Sequence, residues 1–93
     1  MTTFSQAAIN RARADLAQRL GISEVEVNEE SIEPADFPDA ALGAPLADEM
    51  SAQVITPGWR IRLRAGERTY EYRATDRHLR LVNFQGANHK VMK

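Results

Sequence analysis

The sequence contains no cysteine, so it offers neither disulfide bonds nor thiolate ligands for a metal. It also contains no run that approaches the ~20 apolar residues of a membrane-spanning helix. The first residues, Met1-Thr2-Thr3-Phe4-Ser5-Gln6, have neither a basic head nor an apolar stretch, so they do not predict a signal peptide. From these absences we expect a cytoplasmic protein with no membrane partner.

The ingredients of several catalytic and binding sites are also missing. His78 and His89 stand in no serine–histidine or metal-ligand spacing, and the five glycines are too scattered for a phosphate-binding loop. Seven acidic residues fall between positions 24 and 39, but they lack the order of a calcium-binding loop, with its central glycine and closing glutamate. We therefore expect no enzyme activity, no metal site and no cofactor.

Charge is distributed unevenly along the chain. Residues 1–50 carry ten acidic and three basic residues, whereas residues 51–93 carry three acidic and nine basic residues. The two parts have net charges of −7 and +6, although the whole chain carries only −1. Two interpretations are open: the two parts face and neutralise each other in the fold, or the charge marks a polar interaction surface.

The length of 93 residues predicts a single domain, 1–93, with a small core. Apolar residues recur at steps of three and four over 4–20, which predicts a helix that ends at Gly21. Farther along, alternating apolar and polar residues are typical of strands. We therefore predict an α+β fold with one N-terminal helix packed on an antiparallel sheet of about four strands. The predicted strands lie near 24–32, 53–65, 69–75 and 78–84, and a flexible tail covers 85–93.

The stretch around Gly66-Glu67 predicts a β-hairpin. Glycine at the first central position suits a type II′ turn, which fixes the pairing of the two strands. Upstream, Pro57-Gly58 predicts a break in the first strand, because proline supplies no ladder donor and glycine permits positive φ. The predicted cross-strand pairs are Leu63 with Tyr70, Ile61 with Tyr72, Trp59 with Ala74, Arg62 with Glu71 and Arg60 with Arg73.

One face of this hairpin carries four arginines, Arg60, Arg62, Arg64 and Arg73. A row of this kind can bind phosphates, RNA or an acidic protein surface. The simpler interpretation is a solvated sheet face that is neutralised by Glu71 and by the acidic first strand. No aromatic residue clearly interleaves with the arginines, so single-stranded nucleic acid is the less favoured ligand.

Residues 33–51 contain three prolines and one glycine and show no period, which predicts a long connection. A connection of this length is packed down by its own side chains or is functional. We expect the anchors to be Phe37, Leu42, Leu46 and Met50.

A family resemblance covers residues 8 to about 83, and four stretches carry it. They are Asp15-Leu16-Ala17 with Arg19-Leu20-Gly21-Ile22, Leu42-Gly43-Ala44-Pro45, Ala52 to Ile61, and Tyr70-Glu71-Tyr72. In these stretches the chain resembles small uncharacterised bacterial domains, many of them secreted or lipoprotein-attached. Their pattern includes Leu-Gly-Cys-Pro, then Ala-Gln-Val-x-Thr-Pro-Gly-Tyr-Arg-Ile, then Tyr-Glu-Tyr-His-Thr-Asp. The resemblance implies a shared fold but no activity.

The chain departs from this pattern at several positions. Ala44 stands where the family has a cysteine, and Asn83 lies near the position of the second cysteine. The loss of both implies a cytoplasmic version of a fold that elsewhere carries a disulfide. Phe37 lies near the family's tryptophan, Trp59 replaces its tyrosine, and Arg73 replaces its histidine.

The resemblance draws attention to two loops that contain proline and glycine. We predict a non-enzymatic module that binds an unidentified protein, and whether Thr56-Pro57-Gly58 binds or only turns the strand stays open. The alternatives are anion or nucleic-acid binding through the arginines and, from a fainter resemblance to small bacterial peptidase inhibitors, protease inhibition. Edge strands in so small a sheet permit a monomer or a homodimer. The predicted binding residues are Leu42, Gly43, Pro45, Thr56, Pro57, Gly58 and Trp59.

Overall fold

The computed structural model describes residues 4–47 and 49–92 and shows one helix and an antiparallel sheet. The predicted α+β class is confirmed, with five strands where about four were expected. The strands follow one another in space in the order of the chain, so every strand pairs with its sequence neighbour. The elements are α1 (Phe4–Leu20), β1 (Val27–Phe37), β2 (Thr56–Ala65), β3 (Arg68–Ala74), β4 (Leu79–Phe84) and β5 (Ala87–Met92).

Helix α1 has the predicted bounds, and its apolar stripe faces the sheet. Gly21 ends the helix with φ +69°, a left-handed conformation that costs glycine little. The N–H of Ile22 then donates to the carbonyl of Ala17 at 3.0 Å, which satisfies one of the last helical carbonyls. The main core forms between this stripe and one sheet face, and its buried members are Ala8, Ile9, Ala12, Leu16, Ala17, Val27, Ile61, Leu63, Ala65, Tyr72, Ala74, Leu79, Leu81 and Phe84.

A buried hydrogen bond joins the helix to the centre of the sheet. The Tyr72 hydroxyl donates to Oδ2 of Asp15 at 2.7 Å, and the same oxygen accepts from Nε of Arg19 at 2.7 Å. Burial of the ring and the bond to Asp15 raise the pKa of the Tyr72 phenol well above its ordinary value. The phenol therefore stays protonated and acts as a donor, while Arg19 balances the carboxylate charge.

The register of the β2–β3 hairpin is the predicted one throughout, from Trp59 opposite Ala74 to Ala65 opposite Arg68. Gly66 has φ +63°, whereas Glu67 has no positive φ, as a type II′ turn requires. The apolar pairs point to α1, and the like-charged pair of Arg60 and Arg73 lies on the opposite face.

The strand that was predicted near 24–32 begins and ends later in the structure. Glu24–Glu26 form a short 3₁₀ helix, and the strand begins only at Val27 and continues to Phe37. Ser23 and Glu26 form a reciprocal capping box, which stabilises the turn and overrides the alternation of Val25 and Val27. Farther along the strand, the β1–β2 register shifts between Glu29 and Ser31.

The predicted break at Pro57-Gly58 is wrong, because both residues lie within β2. They pair with β1, Asp36 opposite Pro57 and Ala35 opposite Gly58. Backbone groups of alternate residues point to opposite neighbours, and residue 57 points to the β3 side, where β3 has already ended at Ala74. Proline therefore removes no ladder donor here. The strand begins at Thr56, so residues 53–55 of the predicted strand belong to the connection.

The predicted flexible tail over 85–93 is also wrong for the residues that the structure describes, because Ala87–Met92 form β5. Gln85 and Gly86 have φ +53° and +83°, the pair of left-handed residues that a two-residue type I′ turn needs. The β3 and β4 predictions agree with the structure within one residue at each end. Positions 1–3, 48 and 93 of the predicted domain lie outside the described residues.

Candidate functional site: the 38–55 connection over the arginine face

The sheet face opposite α1 carries a row of cations that crosses four neighbouring strands. The registers place Arg60 beside Arg73, Arg73 beside Arg80 and Arg80 beside Lys90. We call these four residues the cationic row. Such a row of like charges in direct cross-strand contact is destabilising unless acceptors lie between its members.

Three carboxylates supply most of those acceptors. Glu71 lies 2.7 Å from Nε of Arg73 and 3.3 Å from Nε of Arg60. Glu33 lies 3.5 Å from Arg60 and 3.4 Å from Arg62. Because Glu33 comes from the acidic part of the chain, these pairs support the interpretation in which the two oppositely charged parts neutralise each other.

Glu49 is the third carboxylate, and it reaches the row from the 38–55 connection between β1 and β2. Its two oxygens accept from Nη1 and Nη2 of Arg80, with a distance of 2.6 Å to Nη2. Lys90 Nζ lies 3.9 Å away. The hydrogen bonds from Arg80, followed by one from the N–H of Leu46, lower the pKa of Glu49 from 4.5 to about 2. Arg80 itself is only 3% exposed, so this pair is largely shielded from water.

The cationic row also fixes the backbone of the connection. Arg73 Nη1 donates to the carbonyl of Leu42 at 2.8 Å, and Arg80 Nη1 donates to the carbonyl of Ala44 at 3.1 Å. Asn88 of β5 donates to the carbonyl of Pro45 at 2.9 Å. The connection therefore lies across the sheet as a strap that is held by three of its own carbonyls.

A second set of buried apolar residues lies at the end of β1 and within this strap. Phe37 is buried at the end of β1, and the guanidinium of Arg73 lies 5.4 Å from the centre of its ring. A cation at this distance from an aromatic face is attracted by the ring quadrupole. The other buried members are Ala41, Leu42 and Ala44.

Of the predicted binding loop 42–45, only Pro45 lies exposed at the surface. Leu42 is fully buried with φ +60°, and Gly43 follows with φ +67°. Both backbone conformations are supported by Asp39, whose Oδ1 accepts from the N–H groups of Ala41 and Gly43 at 2.9 and 3.0 Å. A side chain at Gly43 would meet Arg73, since a Cβ there would lie 2.8 Å from Nη1. The loop is thus bound mainly by its own sheet.

In the predicted segment 56–59, Gly58 and Trp59 pack within the fold, whereas Pro57 is exposed. Gly58 is buried, because β2 approaches β3 so closely that a Cβ would lie 2.2 Å from the carbonyl oxygen of Ala74. Trp59 is half-buried against the main core. Pro57 is exposed, and together with Trp59 it lines a shallow depression of about 610 Å³ whose other walls are Pro34, Gly58 and Asp76.

The structure brings the two predicted segments together at one end of the strap. A Cβ on Gly58 would lie 3.2 Å from Phe37, whose ring also contacts the Arg73 side chain that holds Leu42. Segments 42–45 and 56–59 therefore share Phe37 and Arg73 as supports.

Sequence reasoning missed the most exposed apolar residues next to these segments. Met50 was expected to anchor the connection, but its side chain is 96% exposed, so that expectation is wrong. Val54 and Ile55 are 53% and 75% exposed. We call residues 50–57 the apolar segment. The predicted strand near 53–65 included Val54 and Ile55, whereas β2 begins at Thr56, so both side chains belong to the exposed connection.

The arginines that were predicted to bind anions differ in how far they are engaged. Arg60, Arg62 and Arg73 each contact a carboxylate of the sheet. Arg64 is exposed and donates to the carbonyl of Gly66 at 3.2 Å. Among residues 4–47 and 49–92, no group of three or more histidine or acidic side chains has an arrangement that could hold a metal ion. No helix in the same ranges has the length and apolar character needed to cross a membrane.

Comparison with known proteins identifies the family but no activity. Searches of curated proteins and of solved structures return no match. The sequence model of one family, described as Domain of unknown function (DUF8738), matches residues 9–82. The matched range runs from α1 to β4 and includes the whole strap and the β2–β3 hairpin. Since it covers well over half of the 93 residues, the chain belongs to the DUF8738 family.

Proposed function

We propose that this protein is a non-enzymatic protein-interaction module that contacts its partner through the apolar segment, residues 50–57. One observation carries the proposal. Among residues 6–47 and 49–91, four large apolar side chains are strongly exposed, and three of them fall within one stretch of six residues in this segment: Met50, Val54 and Ile55. Exposed apolar residues that cluster in this way mark interaction surfaces more often than scattered ones do.

The energetics favour a partner that covers these side chains. Burial of one large apolar side chain contributes about 1.5–3 kcal/mol. Three such side chains supply several kcal/mol toward the cost of association. Pro57 extends the surface to the depression beside Trp59, so the contact also includes part of the predicted segment 56–59. Pro45 is the exposed member of the other predicted loop.

The strap supports this role because it presents the segment from a fixed base. The carbonyl of Ala52 accepts from the N–H of Ala40 at 3.0 Å, and Thr56 begins β2. Residues 53–55 are therefore held at both ends while their side chains remain exposed. A surface that is ordered before binding loses less conformational entropy on association.

The test is a comparative pull-down with a matched control. Wild type, an Ile55→Ser variant and a Val25→Ser variant are each used as bait, and bound proteins are quantified. Val25 is 86% exposed and lies at the 3₁₀ turn, outside the apolar segment, so its substitution removes an equivalent apolar group from a different site. We expect Ile55→Ser to lose a specific partner that wild type and Val25→Ser retain. Equal recovery with all three baits would refute the proposed surface.

Anion binding through the sheet face is the second candidate. The cationic row together with Arg62 provides five positive charges, against the carboxylates of Glu33, Glu49 and Glu71. The local excess of two charges supports an interaction with an acidic surface. Binding to heparin is the assay: its affinity is expected to fall steeply with salt. It should also weaken in Arg64→Ala, because Arg64 is exposed on the same sheet face and contacts no carboxylate in the described ranges. Absence of binding at low salt removes this candidate.

A further inference from the structure

The sheet has an opening between β3 and β4 that the interaction surface above does not include. The β3–β4 ladder runs from Ala74 opposite Leu79 to Glu71 opposite Val82, where it stops. Strand β3, however, continues to Arg68, and β4 continues to Phe84. Three residues at the start of β3 therefore pair with β2 alone.

A bulge in β4 causes the separation. The β4–β5 register shifts between Leu81 and Phe84, and Asn83 has φ +53°, so one additional residue lies on the β4 side. The Asn83 N–H donates to Oδ1 of Asn88 at 2.9 Å, which satisfies its backbone within the β4–β5 hairpin. The bulge turns Phe84 into the core, where its ring centre lies 6.0 Å from that of Tyr70, and the backbone pairing of β4 with β3 does not extend past Val82.

The result is a slot of about 650 Å³ between the two strands. Residues on the α1 side of the sheet and residues on the opposite side both line it. An extended chain has side chains that alternate between the two sides of a sheet, so it matches this lining. The lining residues on the α1 side are Leu20, Arg68, Tyr70 and Phe84, since Arg68 lies opposite the core residue Ala65; the remaining ones are Thr69, Glu71, Val82, Asn83 and Gln85.

The open flank of β3 also has the backbone groups that a further strand requires. In a hairpin closed by a two-residue turn, the residue after the turn directs its N–H and C=O to the partner strand. The next residue directs its groups to the other side. By this alternation Thr69 presents its N–H and C=O to the slot, as Glu71 does to Val82.

The charged residues that line the slot indicate what kind of peptide segment would bind in it. Arg68 is exposed at the mouth of the slot and forms no ion pair within the described ranges. Glu71 is already neutralised by Arg73 and Arg60. Of the charged residues that line the slot, Arg68 is therefore the one without an opposite charge in the described ranges, and it complements an acidic side chain on the α1 side; on the opposite side the Thr69 hydroxyl already donates to Glu30 at 3.1 Å.

We propose that this slot binds an extended, acidic peptide segment of another protein, which adds to the open flank of β3 at Thr69. The added strand exchanges hydrogen bonds with Thr69, places an apolar side chain against Tyr70 and Phe84, and sets a carboxylate beside Arg68. Strand addition of this kind obtains affinity from the backbone and specificity from the alternate side-chain pockets.

The first measurement is amide hydrogen exchange of the free full chain. Protection depends on whether an amide is bonded in the sheet. We expect the Thr69 amide to exchange fast and the neighbouring Tyr70 amide to be protected. A Thr69 amide as protected as Tyr70 would overturn the proposal, because the flank would then not be open.

The second measurement selects a random peptide library on phage against the full chain and determines Kd by fluorescence anisotropy. We expect extended peptides with alternating apolar residues and an acidic residue. Thr69→Pro removes the N–H that faces the slot and leaves the β2 ladder intact, so binding should weaken about tenfold. Arg68→Glu should weaken it as well and should favour lysine-containing versions of the same peptides.

Ile55→Ser serves as the matched control, because it alters the apolar segment and leaves the slot unchanged. Peptides that bind Thr69→Pro and Arg68→Glu as tightly as wild type would overturn the proposal, as would a selection without binders tighter than about 100 μM. If Ile55→Ser loses peptide binding while Thr69→Pro keeps it, the peptides bind the apolar segment and the slot is not their site.

Discussion

The pair of Glu49 and Arg80 allows a quantitative prediction about the strap. In the folded protein the hydrogen bonds from Arg80 and, second, from the N–H of Leu46 lower the pKa of Glu49 from 4.5 to about 2. One pKa unit corresponds to about 1.4 kcal/mol, so the full shift corresponds to about 3 kcal/mol of stability. The carboxylate is 19% exposed, and screening by solvent reduces this figure to about 2 kcal/mol. Glu49→Gln should lower the free energy of unfolding at pH 7 by that amount.

The pH dependence follows from the direction of the shift. Because the folded state has the lower pKa, the stabilisation is fully present above pH 4.5, the value expected in the unfolded chain. It is lost as the pH falls from 4.5 toward 2, where the carboxylate takes up a proton in both states. The difference between wild type and Glu49→Gln should therefore shrink to a few tenths of a kcal/mol near the lower limit.

Urea unfolding at several pH values, followed by circular dichroism, measures this difference. A thermal scan at pH 7 should show a melting temperature about 8–16 °C lower for the variant. Glu67→Gln is the matched control, since Glu67 is an exposed carboxylate in the β2–β3 turn, and its change should stay within about 0.5 kcal/mol. A Glu49→Gln difference as large near pH 2 as at pH 7, or no difference at pH 7, would contradict the stabilisation assigned to this carboxylate.

Three further substitutions test a close backbone approach in the sheet, the turn of the β2–β3 hairpin and the hydrogen bond between sheet and helix. Gly58→Ala should cost about 3 kcal/mol or more in denaturant unfolding, because its Cβ would lie 2.2 Å from the carbonyl oxygen of Ala74. Gly66→Ala should cost only about 1–2 kcal/mol, since this glycine has φ +63° but nothing within 4 Å; equal costs at the two positions would contradict the steric account. Tyr72→Phe should lower the unfolding free energy by about 1.5–3 kcal/mol, because Asp15 loses a buried donor; a change below about 0.5 kcal/mol would show that the bond contributes little.

The sequence predicted a helix or hairpin correctly where a single local sequence signal applied and no second signal conflicted with it. The apolar stripe and Gly21 defined the bounds of α1, and Gly66 with its flanking pairs defined the β2–β3 register. Each signal comes from residues within one or two turns or within one hairpin, so no distant contact is needed to interpret it. The predictions failed where two local rules conflicted. At Ser23 the capping box overrode the alternation of valines, and at Gln85-Gly86 a turn with two left-handed residues formed without the usual Asn-Gly pair.

The prediction for Pro57 failed for a different reason. Proline removes a ladder donor only if its nitrogen faces a paired strand, and this depends on where the neighbouring strand ends. Because β3 ends at Ala74, Pro57 lies in β2 without loss. Gly58 is likewise required by the closeness of β3 and not by a positive φ. This part of the Thr-Pro-Gly motif is therefore structural, and the exposed side chain of Pro57 is the part available for binding.

The sequence by itself determined the α+β class, the helix, the central hairpin and the like-charged pairing of Arg60 with Arg73. Only the tertiary structure decided what those charges do. Glu49 is distant in sequence from Arg80, and no periodic pattern predicts that a connection will fold back across the sheet to neutralise it. The same contacts buried Leu42 and left Met50 exposed, since the strap follows the positions of its hydrogen-bond donors on the sheet. Exposure in this protein thus depends on long-range contacts, and the surfaces that we propose for interaction could be recognised only from the folded chain.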